Sequence, residues 1–254
     1  MKDTLRQVIV ALSVLATLVV NILANALPFN GLSTAQISDQ FKVYFVPAGY
    51  VFSIWGLIYI GLIAYAVFQA LPAQRENPRL RKTGYLTALA GLANCAWLFL
   101  WHYQQFVWTL VVMASLLVLL ILVYLDLGIG RTDVSKAETW AVRVPFSIYL
   151  GWITVATIAN VTDVLYFLKW DGFGIGARDW TLVLFAAVIM IAGLMSLTRR
   201  DIAYNLVIIW ALVGIAVKQA AAKSLVIASL ASVVVIICVL AYSILRKQPV
   251  VKKA

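Results

Sequence analysis

The chain is short of the groups that most enzymes work with. Its 254 residues hold one histidine, two glutamates and two cysteines, and only 12% are charged. Cys95 and Cys238 both fall inside apolar runs, so neither a disulfide framework nor a metal site is suggested. No nucleophile, base and acid cluster together, which leaves hydrolytic chemistry without its parts. We therefore assign no catalytic and no metal-binding residue, require no cofactor, and do not favour an enzyme. Also lacking are an internal repeat and a mid-span Gly-Pro interruption, the usual marks of a transporter.

Apolar residues, by contrast, make up 64% of the chain, and the mean hydropathy of +0.97 lies far outside the range of soluble domains. The fold class expected is an all-α integral membrane protein. At about 20 residues per span the length accommodates about eight transmembrane helices joined by short loops. The apolar runs place them at 8–27, 49–70, 83–101, 106–125, 143–162, 180–197, 202–216 (or on to 219) and 224–245. Ala24-Asn25-Ala26 resembles a signal-peptidase site, but the long first run and the polar Asn21 and Asn25 within it favour a retained span.

A formal charge of +10 would point to nucleic acid in a soluble protein. Here the basic residues sit in loops and tails, so the expected partner is the lipid bilayer and not nucleic acid. With the N-terminus inside, fifteen of the twenty Lys and Arg fall on the inner side, counting Lys247, Lys252 and Lys253 of the tail. That asymmetry supports eight spans with both termini cytoplasmic.

Polar and aromatic residues gather in the outer half of the first five spans. Trp55 and Tyr59 are four apart and share a helix face; Asn94, Trp97 and Trp101 make one stripe, and Tyr149, Trp152, Ala156 and Asn160 another. Carboxamides in hydrocarbon need partners, so these stripes should face the bundle interior. Trp101, Trp108, Trp170 and Trp180 also fit an interfacial aromatic belt, whereas Trp55, Trp97 and Trp152 lie deeper. An aromatic-walled cavity with a few polar anchors suits a flat hydrophobic ligand.

Several other residues carry expectations. Asp163 reads as an interfacial acid at a span end, or else as a proton or cation site at the pocket mouth. Lys218 and Gln219 should snorkel to the outer surface. His102, in a tight outer turn, has no second ligand in view for a haem iron. Gly84 and Ala88 form a small-xxx-small pair suited to a helix or dimer contact. The segments 164–169 and 240–246 fit a loose cholesterol pattern, for which an interfacial anchor is the better account.

At these residues the chain resembles the TspO family of tryptophan-rich sensory proteins, the family of the translocator protein. Pro47-Ala48-Gly49-Tyr50-Val51-Phe52 followed by Trp55-Gly56-Leu57-Ile58-Tyr59 is similar to the family's entry into its second helix. Asn94-Cys95-Ala96-Trp97, Trp108-Thr109-Leu110 and the set Trp152, Ala156, Thr157 and Asn160 match the third, fourth and fifth helices. Tyr50 stands where the family has a loop tryptophan, and Val112 where it has an aspartate.

The resemblance implies a TspO-like five-helix bundle over residues 1–168, followed over 169–254 by three additional helices and a basic tail. It further implies a pocket under the first loop for porphyrins, haem-like tetrapyrroles or sterols, and often a homodimer. By position, Trp97, Trp108, Trp152, Ala156 and Asn160 would line that pocket with Asn94 as an anchor, while the stripes add Trp55 and Tyr59. The function expected is a receptor or sensor for a hydrophobic planar ligand. The alternatives are a transporter of tetrapyrroles, lipids or small solutes and a tryptophan-dependent porphyrin-modifying enzyme.

Overall fold

The computed structural model describes residues 2–27 and 29–246, among which no strand occurs. Helix α1 (Lys2–Ala26) leads into a connection that carries a short helix α2 (Thr34–Ser38) and a 3-10 turn (Gly49–Ser53). Then come α3 (Ile54–Ala70), α4 (Pro78–His102) and α5 (Phe106–Asp126). A single turn α6 (Lys136–Glu138) and a π-helical turn (Thr139–Arg143) run without a break into α7 (Val144–Phe167). The chain closes with α8 (Ala177–Arg199), α9 (Ile202–Lys218) and α10 (Lys223–Leu245). Seven of these helical stretches are long and apolar enough to cross a membrane, and α9 is an eighth apolar helix of 17 residues.

The distribution of side chains is that of a protein dissolved in lipid. On α1 the buried face carries Arg6, Gln7, Thr17 and Asn21, while Leu5, Leu12, Leu15 and Ile22 are exposed. Polar groups turned inward and apolar ones outward satisfy hydrogen bonds where no water is available. Small residues on α4 let α1 approach closely. A Cβ on Gly84 would meet the Arg6 side chain at 2.9 Å, one on Gly91 would meet Ser13 Oγ at 2.5 Å, and Ser13 Oγ donates to the Ala88 carbonyl at 2.9 Å. The Gly84 and Ala88 pair is thus a contact between helices of one chain.

Helix α7 is the central post, packed by α3, α5 and α9. Gly61 of α3 abuts Pro145 at the start of α7, and Gly151 of α7 lies under the Tyr204 carbonyl of α9. Helices α8, α9 and α10 pack on one another, and α9 also touches the 3-10 turn. Tyr204 donates from its hydroxyl to Thr154 Oγ1 at 3.0 Å, and Asp201 accepts from Tyr124 and Ser147 at 2.8 and 2.6 Å. The last three helices are in this way tied to α5 and α7 through buried polar contacts.

One end of the bundle is basic, in the alternating pattern expected. Arg79 forks onto Glu138 at 2.6 and 2.9 Å, Arg81 pairs with Asp3 at 2.7 Å, and Lys82 pairs with Asp126 at 2.6 Å. Arg199 donates to the Ile129 carbonyl, and Arg200 to that of Arg246. These contacts join the start of α1, the start of α4, the end of α5, the segment between α5 and α7, the α8–α9 turn and the end of α10. Lys247, Lys252 and Lys253 lie outside the described residues, as does Pro28 of the first loop.

Candidate aromatic pocket

At the opposite end, the connection between α1 and α3 folds over the bundle. Ser33 and Gln36 cap α2 reciprocally, Ser33 Oγ accepting from the Gln36 N–H and Gln36 Oε1 from the Ser33 N–H. The Thr34 carbonyl accepts from Trp101 Nε1 at 3.2 Å, and Thr34 Oγ1 meets His102 Nε2 at 3.3 Å. His102 is fully buried, with Phe29 edge-on at 5.6 Å between ring centroids, so it fastens the connection from below.

Two chambers lie beneath. The smaller, of about 40 Å³, is walled by Phe52, Trp97, Trp101, Trp152 and Ala156, with Thr34, Ser38, Asn160 and Asp163 as its polar members. Trp97 stacks on Trp101 with centroids 5.2 Å apart. The Trp97 indole N–H donates to Asn160 Oδ1 at 3.3 Å, and Asn160 Nδ2 donates to Thr109 Oγ1 at 2.9 Å. The carboxamide therefore fixes an indole rather than hanging free.

The larger chamber, of about 470 Å³, is lined by Asn21, Asn25, Phe52, Trp55, Tyr59 and Trp97 among others. Asn21 is its hub. Its Oδ1 accepts from the Tyr59 hydroxyl at 3.0 Å, and its Nδ2 donates to Asn94 Oδ1 at 2.7 Å and to the Thr17 carbonyl at 2.8 Å. Trp55 stacks on Tyr59 at 5.7 Å and meets Trp152 edge-on at 6.4 Å. Thr34, Phe52 and Trp97 border both chambers and form the wall between them.

Of the residues predicted for the site, Trp55, Tyr59, Trp97, Trp152, Ala156 and Asn160 come together on these walls. Asn94 is buried one layer behind, bonded to Asn21. Trp108 does not join them: it is 61% exposed and lines neither chamber, because the helix turns the adjacent Thr109 inward to Asn160. Asn21, Thr34 and Phe52 were not predicted as site residues, while Asp163, one of whose two readings placed it at the pocket mouth, does border the smaller chamber. The Ser33-x-x-Gln36 capping signal announces α2, and the i, i+4 relation of Asn21 and Asn25 marks the polar face.

Two expectations need correction. Asp163 is not solvated at a span end, since α7 continues to Phe167 and leaves it 2% exposed under the loop. Lys218 and Gln219 do not snorkel. Lys218 pairs with Asp39, and Gln219 Nε2 donates to the Tyr44 carbonyl at 3.1 Å. Farther along, the Ala48 N–H donates to the Gly214 carbonyl at 3.1 Å and Trp210 Nε1 to that of Val51 at 3.1 Å. One edge of α9 thus holds the whole approach to α3.

A separate recess of about 810 Å³ opens between α3, α7 and α9, reaching down to Arg143, Arg199 and Asp201. It contains none of the predicted residues. Its breadth reflects a gap between helices at the lipid-facing side, with Trp140 71% exposed at its rim.

An all-α, multi-pass membrane bundle with an aromatic pocket under its first loop is the class these features define. The sequence model of the TSPO-like protein family matches residues 7–244, nearly the whole described chain, and the chain belongs to that family. The match runs through the last three helices as well as the first five. Comparison with curated proteins and with solved structures gave no match in either.

Proposed function

We propose that the protein is a membrane receptor that binds a hydrophobic planar ligand, a porphyrin or haem-like tetrapyrrole or a sterol, in the chambers beneath the first loop. The observation that carries this reading is the shared wall. Thr34, Phe52 and Trp97 separate two aromatic chambers, so rotation of Phe52 and movement of α2 would merge them into one flat slot. Indole faces then stack on the ligand while Asn21 and Asn160 meet its polar edges. With the basic end facing the cytoplasm, as the positive-inside rule favours, the slot lies in the outer half of the membrane.

Porphyrin quenching of tryptophan fluorescence in the purified protein tests the reading. Stacked aromatic pairs contribute about 0.5–1.5 kcal/mol beyond the area they bury, so Trp152→Ala and Trp97→Ala should each weaken binding several-fold. Unchanged titration curves in both variants would remove the pocket from consideration.

A further inference from the structure

We propose that the smaller chamber is a subsite for a protonated amine, with the Asp163 carboxylate as its counter-ion and the indoles of Trp97, Trp101 and Trp152 as its walls. This rests on the pocket reading above and adds the charge of the ligand. Asp163 borders the chamber, is 2% exposed, and no described residue donates a hydrogen bond to its Oδ1. A carboxylate held so deep is costly unless a cation or donor meets it, and an acid inside a membrane span marks a functional site more often than a structural one. The basic residue within electrostatic reach, Lys218, has its ammonium engaged by Asp39 of the first loop.

The walls suit the same ligand. Aromatic faces attract ammonium groups, and an acid beside several such faces selects a cation over a neutral group of the same shape. Ser38 and Thr34 also line the chamber and bring hydroxyl groups to it. At about 40 Å³ the chamber admits an ammonium head and no ring, having room for about three water-sized groups. The planar body would then lie in the 470 Å³ chamber, across the wall of Thr34 and Phe52. The ligand so described is a planar body bearing a protonated alkylamine at one end, and a porphyrin or haem would lie with its own carboxylates turned away from Asp163, which repels them.

Tryptophan quenching by 1-pyrenemethylamine, whose primary amine is protonated at neutral pH, and by 1-pyrenemethanol, neutral there, tests the inference on the purified full chain. Wild type should bind the cation at least about tenfold more tightly, the scale of one charge-assisted hydrogen bond. Asp163→Asn, which keeps the shape and removes the charge, should abolish the preference without changing 1-pyrenemethanol binding, and Asp163→Glu should retain it. If wild type binds both probes equally, or Asp163→Asn keeps the preference, the chamber is only a polar niche and the inference fails while the pocket stands. If neither probe binds wild type the inference fails, and if porphyrin titrations of Trp97→Ala and Trp152→Ala are both unchanged the pocket reading fails and the inference with it.

Discussion

Replacing Gly214 by alanine probes how far α9 supports the pocket. A Cβ there would overlap Val51 Cγ2 and stand 3.2 Å from Pro47 Cβ. Val51 is fully buried and β-branched, so it has little freedom to turn aside. Overpacking of this kind costs about 1–3 kcal/mol, while alanine recovers up to about 1 kcal/mol of helix propensity. With the full recovery the net loss is about 0–2 kcal/mol, and the difference from a substitution that gains the propensity alone is about 1–3 kcal/mol. Gly193→Ala in α8 is the control, because nothing lies within 4 Å of its Cβ and only the propensity term applies. Unfolding of the purified protein by SDS titration gives the comparison, and Val51→Ala completes a double-mutant cycle. The double variant should be at least about 1 kcal/mol more stable than the two single losses added together. If Gly214→Ala is as stable as Gly193→Ala, or the cycle is additive, α9 does not press on the 3-10 turn as described.

Two further substitutions have opposite expected outcomes. Arg79→Met leaves Glu138, whose side chain is only 6% exposed, without its guanidinium, and should cost about 3 kcal/mol in the same titration; adding Glu138→Gln should recover part of that loss. Trp108→Ala should leave porphyrin affinity within about twofold of wild type, because its ring faces outward and its neighbour Thr109 makes the contact to Asn160; a large loss of quenching affinity would return Trp108 to the site.

The helices were readable from the sequence because hydrophobic runs near 20 residues and basic loops are local signals. The stripes on α4 and α7 were readable for the same reason, since a helix fixes which residues share a face. Asp163 was not. A span counted as 20 residues from Arg143 ends at Thr162, but the helix continues to Phe167 and the first loop folds over it. The partner of Lys218 lies 179 residues away, and no local pattern distinguishes a lysine that snorkels from one that pairs across the fold. Trp108 was misplaced by carrying a motif over one position at a time. On a helix its neighbour Thr109 turns about 100° away, and that is where the hydrogen bond formed.

The placement of α9 bears on how a ligand enters. Thr34 and Phe52 stand between the two chambers, so a ligand that reaches both needs α2 and the residues after it to move. Withdrawing α2 breaks the Trp101 bond to the Thr34 carbonyl and the His102 contact, both made to α4. Moving the stretch from Asp39 to Val51 breaks a different set, the contacts to Lys218, Gln219, Gly214 and Trp210, all made to α9 or its C-terminal end. The side-chain bonds among these are exposed or half-buried and individually weak, whereas the fit of Val51 against Gly214 is buried. The half of the connection over α4 is held by buried hydrogen bonds and the half over α9 by the buried fit of Val51 against Gly214, so opening over α4 costs the Trp101 and His102 contacts and leaves the α9 packing intact. Phe52 sits next to that packed half and borders both chambers, so the turn held by α9 sets the position from which the dividing ring must rotate.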